Sequence, residues 1–388
     1  MISVAEAKKI IAEHKLILPP VLLPLQDALQ LRLASAVFSP VDVPAFPQSS
    51  MDGYAFAHAD WQPKSKLLLQ GEMQAGSKTD FVVKPGQAVR IFTGAPLPSG
   101  ADTVIMQEKT TVTNNELIIN EENLQKGNSV RAKGSAIKAG ELALEKNTVL
   151  SPAAIGFLAG MGITGVNVFS RPSVSIIVTG NELQQPGLPL AYGEVYESNS
   201  LALSAVLKQL HVFDVTVYTV ADEPEMVKQV LQKALSKTDL VLLTGGVSVG
   251  DYDFVVQSAA ACGVTQLFHK IKQRPGKPLY VGKKENTLVF GLPGNPSSVL
   301  TCFYEYVLPA LQSDLMILYV PWAKDFQKSA GLIHFLKGWY DGETVMPLDA
   351  QESYRMSSFA TANCLIKVPE ETTLCREGEL AEIHLLSF

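Results

Sequence analysis

Four segments of this 388-residue chain set glycine beside carboxylates or prolines: Thr179-Gly180-Asn181-Glu182, Ala221-Asp222-Glu223, Thr244 to Asp253, and Gly291-Leu292-Pro293-Gly294-Asn295-Pro296. Each follows a short apolar run, where an open α/β sheet places its ligand crevice. Glycines let backbone N–H groups approach phosphate oxygens, and helix N-termini add positive dipole ends. A carboxylate beside a phosphate repels it unless a hard divalent cation bridges the two. Glu182 with Asp253 or Asp251 therefore reads as a Mg²⁺-phosphate site, and Asp222 stands on the neighbouring strand end. The plainer reading, that Glu182 and Asp222 cap the helices that follow, stays open. Lys270, Arg274 and Lys277 surround the rigid run Gln273 to Pro278, which suits an anionic ligand at the same crevice. A solvated surface hairpin is the alternative there.

Two further motifs weaken on inspection. Gly160-Met161-Gly162-Ile163-Thr164-Gly165 has dinucleotide-loop spacing, but it follows a helix and precedes a strand, the reverse of the required context. Gly246-Val247-Ser248-Val249-Gly250 has the spacing of a nucleophile elbow, with His269, His334 and His384 downstream. Its loop runs on through Asp251-Tyr252-Asp253, wider than a one-residue corner, so a serine hydrolase remains a competing reading. No G-x-x-x-x-G-K-[ST] occurs, which excludes a P-loop nucleotide site.

The elements that must position these residues alternate from Ser173 to about Leu311. Strands are expected at Val174–Val178, Val215–Val220, Leu240–Leu243 and Thr287–Phe290, and helices at about 200–210, 224–235, 254–262 and 296–308. That rhythm predicts a doubly wound parallel α/β domain over 173–315. Before it, Ser3 to Glu6 forms a capping box that opens an amphipathic helix, and a second helix is expected at about Gln26 to Val37. Short runs at 66–69, 88–92, 103–106 and 116–120, separated by turn residues, predict a β-rich insertion over 41–140. The segments 1–40 and 141–172 are grouped as a linking domain. Residues 320–388 read as a small β domain, so the fold class is α/β plus β in several domains.

Composition bounds the partners. Thirty-two basic against 38 acidic residues leave a net charge of −6, without the basic excess that nucleic-acid binding requires. The four cysteines, at 262, 302, 364 and 375, form no C-x-x-C pair, which points away from zinc and disulfides and toward a reducing cytoplasm. Charges at Glu6, Lys8, Lys9, Glu13 and Lys15 break any signal-peptide core. Val149 to Ser170 is long and uncharged, but Ser151-Pro152 and Gly162 divide it into a buried helix and a strand, so no membrane span is expected.

Taken in order, Pro47 to Ala55, Ile91 to Pro96, Thr179 to Leu183, the Gly245 to Asp253 loop, Arg274 to Pro278 and Gly291 to Ser297 resemble the molybdopterin molybdenumtransferase family, the MoeA type shared with the gephyrin E domain. The resemblance spans nearly the whole chain. It implies a MoaB-like α/β domain and an enzyme that inserts molybdenum from molybdate into adenylylated molybdopterin, with Mg²⁺ and release of AMP. Carried over by motif, Asp52, Thr93, Glu182, Asp222, Ser248, Asp253, Lys270, Arg274, Pro293 and Pro296 line the cleft, with Glu182 and Asp253 on the metal. Asp251 and Lys277 join the substrate wall, and Lys337 and Ser353 match polar positions of the last domain. Two positions depart from the pattern: Ser135-Ala136 replaces an acidic pair, and Lys337 stands where Arg is expected, without its bidentate fork. The resemblance further implies a homodimer with a shared active site, and sets the molybdopterin adenylyltransferase among its partners. An adenylyltransferase, similar to the α/β segment alone, is the competing enzyme class; a scaffold without catalysis is the competing non-enzyme class.

Overall fold

The computed structural model describes residues 1–77, 81–246, 254–311, 313 and 315–386. The chain divides into two compact units, one of residues 1–18 with 171–388 and one of residues 19–170. The N-terminal helix thus clusters with the α/β segment, apart from the 19–40 stretch with which the sequence reading grouped it.

In the 19–170 unit, the two ends of the segment pair with each other. Strand Pro20–Pro24 runs antiparallel to Gly165–Phe169, and Val37–Phe38 pairs with Leu142–Leu144. The helix expected at 26–37 is absent and that expectation is corrected. Only a 3₁₀ turn forms at Leu25–Asp27, Gln30 adopts φ +60°, and the Leu31 carbonyl and Leu33 amide bond across to Leu150 and Thr148. Of Leu25, Leu29 and Leu33, whose spacing resembles one helical face, Leu25 and Leu33 instead fill a small core with Leu150, Leu158 and Val168, and Leu29 is exposed. Helix Pro152–Gly160 does start on a Ser151 cap, but it is not the buried helix expected: only Leu158 is buried, and Phe157 is 40% exposed. Between these ends, six strands form a sheet in the order 103–106, 53–56, 87–91, 66–73, 116–119, 110–113, with apolar clusters on its two faces.

In the other unit, a six-stranded sheet has the order Val215–Val220, Val174–Thr179, Leu240–Thr244, Thr287–Leu292, Tyr280–Lys284, Thr265–His269. The first four strands are parallel, as expected. The last two are antiparallel additions, so the sheet is mixed. Strands Val174–Thr179 and Leu240–Thr244 are buried along their whole length, which is why they read as unbroken apolar runs. One face packs helices Asn199–Gln209 and Pro296–Cys302 together with Val4, Ala7 and Ile11 of the capped first helix, Val4–Glu13. The other packs Pro224–Leu235 and Phe254–Ala261. A second mixed sheet, built on Ile333–Tyr340, Cys364–Val368, Leu380–Leu385 and Ile317–Pro321, forms the C-terminal domain. Strand Gln273–Arg274 joins its edge beside Ile333–His334. Among the described residues, no helix is long and apolar enough to cross a membrane.

Candidate functional site

Parallel register brings the strand ends together. Val178 pairs with Thr244, Thr244 with Leu292 and Thr179 with Val220, so the loops after these four strands leave the sheet side by side. The turn after Thr244 has to be glycine: Gly245 has φ +90°, and a Cβ there would stand 2.3 Å from the Thr179 carbonyl oxygen. After Thr179, residues Leu183–Gln184 pair with Val195–Tyr196. Glu197 then accepts bonds from the Ser200 amide (2.8 Å) and hydroxyl (2.5 Å), fixing the start of helix Asn199–Gln209. Asn199 in turn donates to the Gly294 carbonyl at 2.9 Å, tying the first loop to the fourth.

Facing these loops, the C-terminal domain contributes residues 351–354. Asn295 donates to the Ser353 hydroxyl at 2.8 Å, and the Ser297 amide donates to the Ser353 carbonyl at 3.1 Å. The enclosed cleft, about 960 Å³, lies wholly within this unit. Its acidic wall carries Glu182, Asp222 and Glu197, and its basic wall is the Arg274–Lys277 loop, with Arg274 and Lys277 both exposed. His334, opposite Arg274 in register, is nearly buried; burial first, then the charges of Lys328 and Arg274, push its imidazole down to about 4.

Several polar atoms at the crest are buried and have no partner among the described residues: Asn199 Oδ1, Asp222 Oδ1 and Thr244 Oγ1 on the cleft wall, and Ser297 Oγ beside it. Buried polar atoms of this kind are ordinarily satisfied by a ligand, ion or water. Glu182 and Asp222 supply hard oxygen donors, the chemistry that suits Mg²⁺. Among the described residues, no group of three or more His, Cys, Asp or Glu is placed to hold a metal.

The structure brings together Glu182, Asp222, Arg274, Lys277, Pro293, Pro296 and Ser353 on this cleft. Ser248, Asp251 and Asp253 lie outside the described residues. Lys270 is not on the wall; it has φ +69°, with its amide donating to Leu279 and its carbonyl accepting from Ile2. Lys337 is not on the wall either. Only 2% exposed, its ammonium donates to the carbonyls of Ala350 (2.7 Å), Arg355 (3.0 Å) and Glu352 (3.3 Å), and burial pushes its pKa down. It grips from behind the loop that carries the wall. Asp52 and Thr93 sit in the 19–170 unit, where Asp52 Oδ1 accepts both the Thr93 amide (2.7 Å) and its hydroxyl (2.8 Å). Those two bonds, the amide foremost, hold the Asp52 carboxyl below its usual range. Asn199 and Gln351 also line the cleft and carried no signal in the sequence. Thr244 and Gln273 line it too, within segments the sequence marked, but were not singled out as site residues.

Three family models cover the chain in succession: the MoeA N-terminal region (domains I and II) over 2–162, a probable molybdopterin binding domain over 175–313, and the MoeA C-terminal region (domain IV) over 319–386. A molybdopterin molybdenumtransferase of Haemophilus influenzae is 33% identical over 381 residues, 93% of this chain and 94% of that protein. One from Staphylococcus aureus is 32% identical over 401 residues, covering 99% and 95%. The crystal structure of a molybdopterin biosynthesis MoeA protein from Pyrococcus horikosii superposes with a TM-score of 0.86 at 29% identity, over 100% of both chains.

Proposed function

Because the chain belongs to the molybdopterin molybdenumtransferase family, we propose that it takes adenylylated molybdopterin and molybdate, breaks the adenylate link, releases AMP and leaves molybdenum on the dithiolene. The observation that carries this reading is that one cleft at the strand ends is lined both by the acids Glu182, Glu197 and Asp222 and by the basic loop of Arg274 and Lys277. A substrate with a pyrophosphate link, meeting an oxyanion as second substrate, needs both. Arg274 and Lys277 receive anionic oxygens. Glycine turns let backbone amides close on a phosphate, and Asn199 and Thr244 hold polar atoms that have no partner among the described residues. Glu182 and Asp222 are the described residues that would hold Mg²⁺, with Asp253 expected to join them. When bound, the ion would supply Lewis-acid polarisation of a phosphoryl oxygen. Incubation with adenylylated molybdopterin, Mg²⁺ and molybdate should release AMP and load the cofactor, and Glu182→Gln should abolish both. Absence of AMP from the wild-type protein would sink the reading.

Asp52 and Thr93 enter as the residues of the 19–170 unit that complete the site of a second copy. The exposed apolar face of helix Pro152–Gly160, with Phe157 uncovered, supports association. In a mixture of inactive Asp52→Ala and Glu182→Ala chains, a two-fold dimer with shared sites recovers about a quarter of wild-type activity after random exchange, because half the dimers are mixed and hold one intact site each. A dead mixture with confirmed exchange removes the shared site and leaves the reaction untouched. The protein would work in the cytoplasm, receiving its substrate from an adenylyltransferase.

A further inference from the structure

Beneath the basic loop lies a buried polar patch that the reaction itself does not use. Gln273 and Tyr306 are both fully buried, in a core otherwise made of Val299, Phe303, Val307 and Leu279. The Tyr306 hydroxyl donates to Gln273 Oε1. Gln273 Nε2 donates to the Pro275 carbonyl at 2.9 Å and lies 3.8 Å from Cys302 Sγ. Cys302 Sγ, in turn, lies 3.7 Å from the Gly276 carbonyl. The fit is tight: Gly276 has φ +87°, and a Cβ there would stand 2.4 Å from Cys302 Sγ and 2.8 Å from Gln273 Nε2. Proline has no N–H, so the carbonyl is the only backbone group by which Pro275 is held. That carbonyl lies midway between Arg274 and Lys277.

We infer that Tyr306 and Gln273, seated against Cys302, are positioning residues that set the height and tilt of the Arg274–Lys277 loop and so tune its affinity for an oxyanion. The inference rests on the reading of that loop as the anion wall. A buried amide and phenol in an apolar core are costly unless each satisfies the other, and here the second bond of the amide goes to the loop. Burial pushes the Tyr306 phenol well above its usual range, so its proton stays in place to be donated. The chain of contacts runs from the helical segment 296–310 through Gln273 to a single carbonyl in the loop. Removing the hydroxyl leaves Gln273 Oε1 unpaired and frees the amide to rotate away from Pro275.

The test measures binding of molybdate and of inorganic phosphate to the full-length protein, with steady-state kinetics, for Tyr306→Phe, Gln273→Met, Arg274→Ala, Lys277→Ala and the double variant Tyr306→Phe/Arg274→Ala. Tyr306→Phe should weaken oxyanion binding and raise KM for molybdate by about three- to tenfold, the worth of one buried hydrogen bond, while kcat stays within about twofold. Gln273→Met should reproduce the shift. In the Arg274→Ala background the Tyr306→Phe penalty should shrink to the part carried by Lys277, because the phenol acts through the loop. Unchanged affinity in both Tyr306→Phe and Gln273→Met, or a penalty that persists in full in the double variant, would overturn the inference. If Arg274→Ala and Lys277→Ala bind both anions as the wild type does, the anion-wall reading fails first, which separates the two failures.

Discussion

Asn295 and Ser353 are joined by a 2.8 Å bond from amide to hydroxyl, and through it the loop after the fourth parallel strand meets the C-terminal domain. The pair is exposed, so its worth is about 0.5–1 kcal/mol. Ser353→Ala leaves the carbonyl that accepts from Ser297 in place and removes only the side-chain bond. A rise in KM of roughly two- to fivefold with little change in kcat is expected, since 1.4 kcal/mol corresponds to tenfold. Kinetics indistinguishable from wild type would show that the Ser297 bond alone holds this wall.

Lys337 grips three carbonyls of the loop that presents Gln351 to Tyr354. Lys337→Met removes a buried donor and leaves those acceptors facing an apolar chain, at a cost of about 3 kcal/mol. Urea unfolding should show a lower midpoint, and amide exchange should quicken in 348–355. A variant that keeps the wild-type midpoint and protection would show that these three carbonyls do not depend on the Lys337 ammonium.

The Asp52 carboxyl is held below its ordinary 3.8, first by the Thr93 amide, then by the Thr93 hydroxyl. It is therefore ionised at neutral pH, the form that accepts the two Thr93 bonds. Thr93→Val deletes the weaker of the two bonds. Carboxyl-carbon NMR should then find Asp52 titrating above its wild-type position, with the amide bond still in place. No movement would mean that the amide alone sets its acidity.

Much of the α/β domain was legible because its signals are local. Val215–Val220 and Pro224–Leu235 begin and end where β-branched runs, an N-terminal proline and helical spacing put them. The antiparallel strands Thr265–His269 and Tyr280–Lys284 were not, since they are short and mix apolar with polar residues. The 26–37 error has the opposite cause: its leucines have helical spacing, but pairing with 148–150 and the left-handed Gln30 override it. At the site, glycines and acids marked the strand-end loops; of the three lysines read as cleft cations, Lys277 lines the cleft, while Lys270 does not and the Lys337 ammonium is taken by backbone carbonyls. Whether a lysine ammonium meets solvent, substrate or three carbonyls depends on a loop 13 to 18 residues away, and nothing in the sequence around Lys337 records that choice.

His334 gives the acid limb of stability a specific origin. Burial, reinforced by Lys328 and Arg274, pushes its pKa from the ordinary 6.5 to about 4. Between those values the unfolded chain binds a proton that the native one refuses. Stability therefore rises with pH across this window and is lost as pH falls from 6.5 toward about 4. Two and a half units at 1.36 kcal/mol each set the ceiling at about 3 kcal/mol. His334→Gln removes the titrating group. The difference in unfolding free energy between wild type and variant, measured by urea from pH 7.5 to 4.5, should shift against the wild type by about 2 kcal/mol over that range. Carboxylates titrate in both proteins and cancel in the difference. Parallel pH profiles would show that the native fold admits the imidazolium, and that the buried place beside Arg274 accommodates a second positive charge.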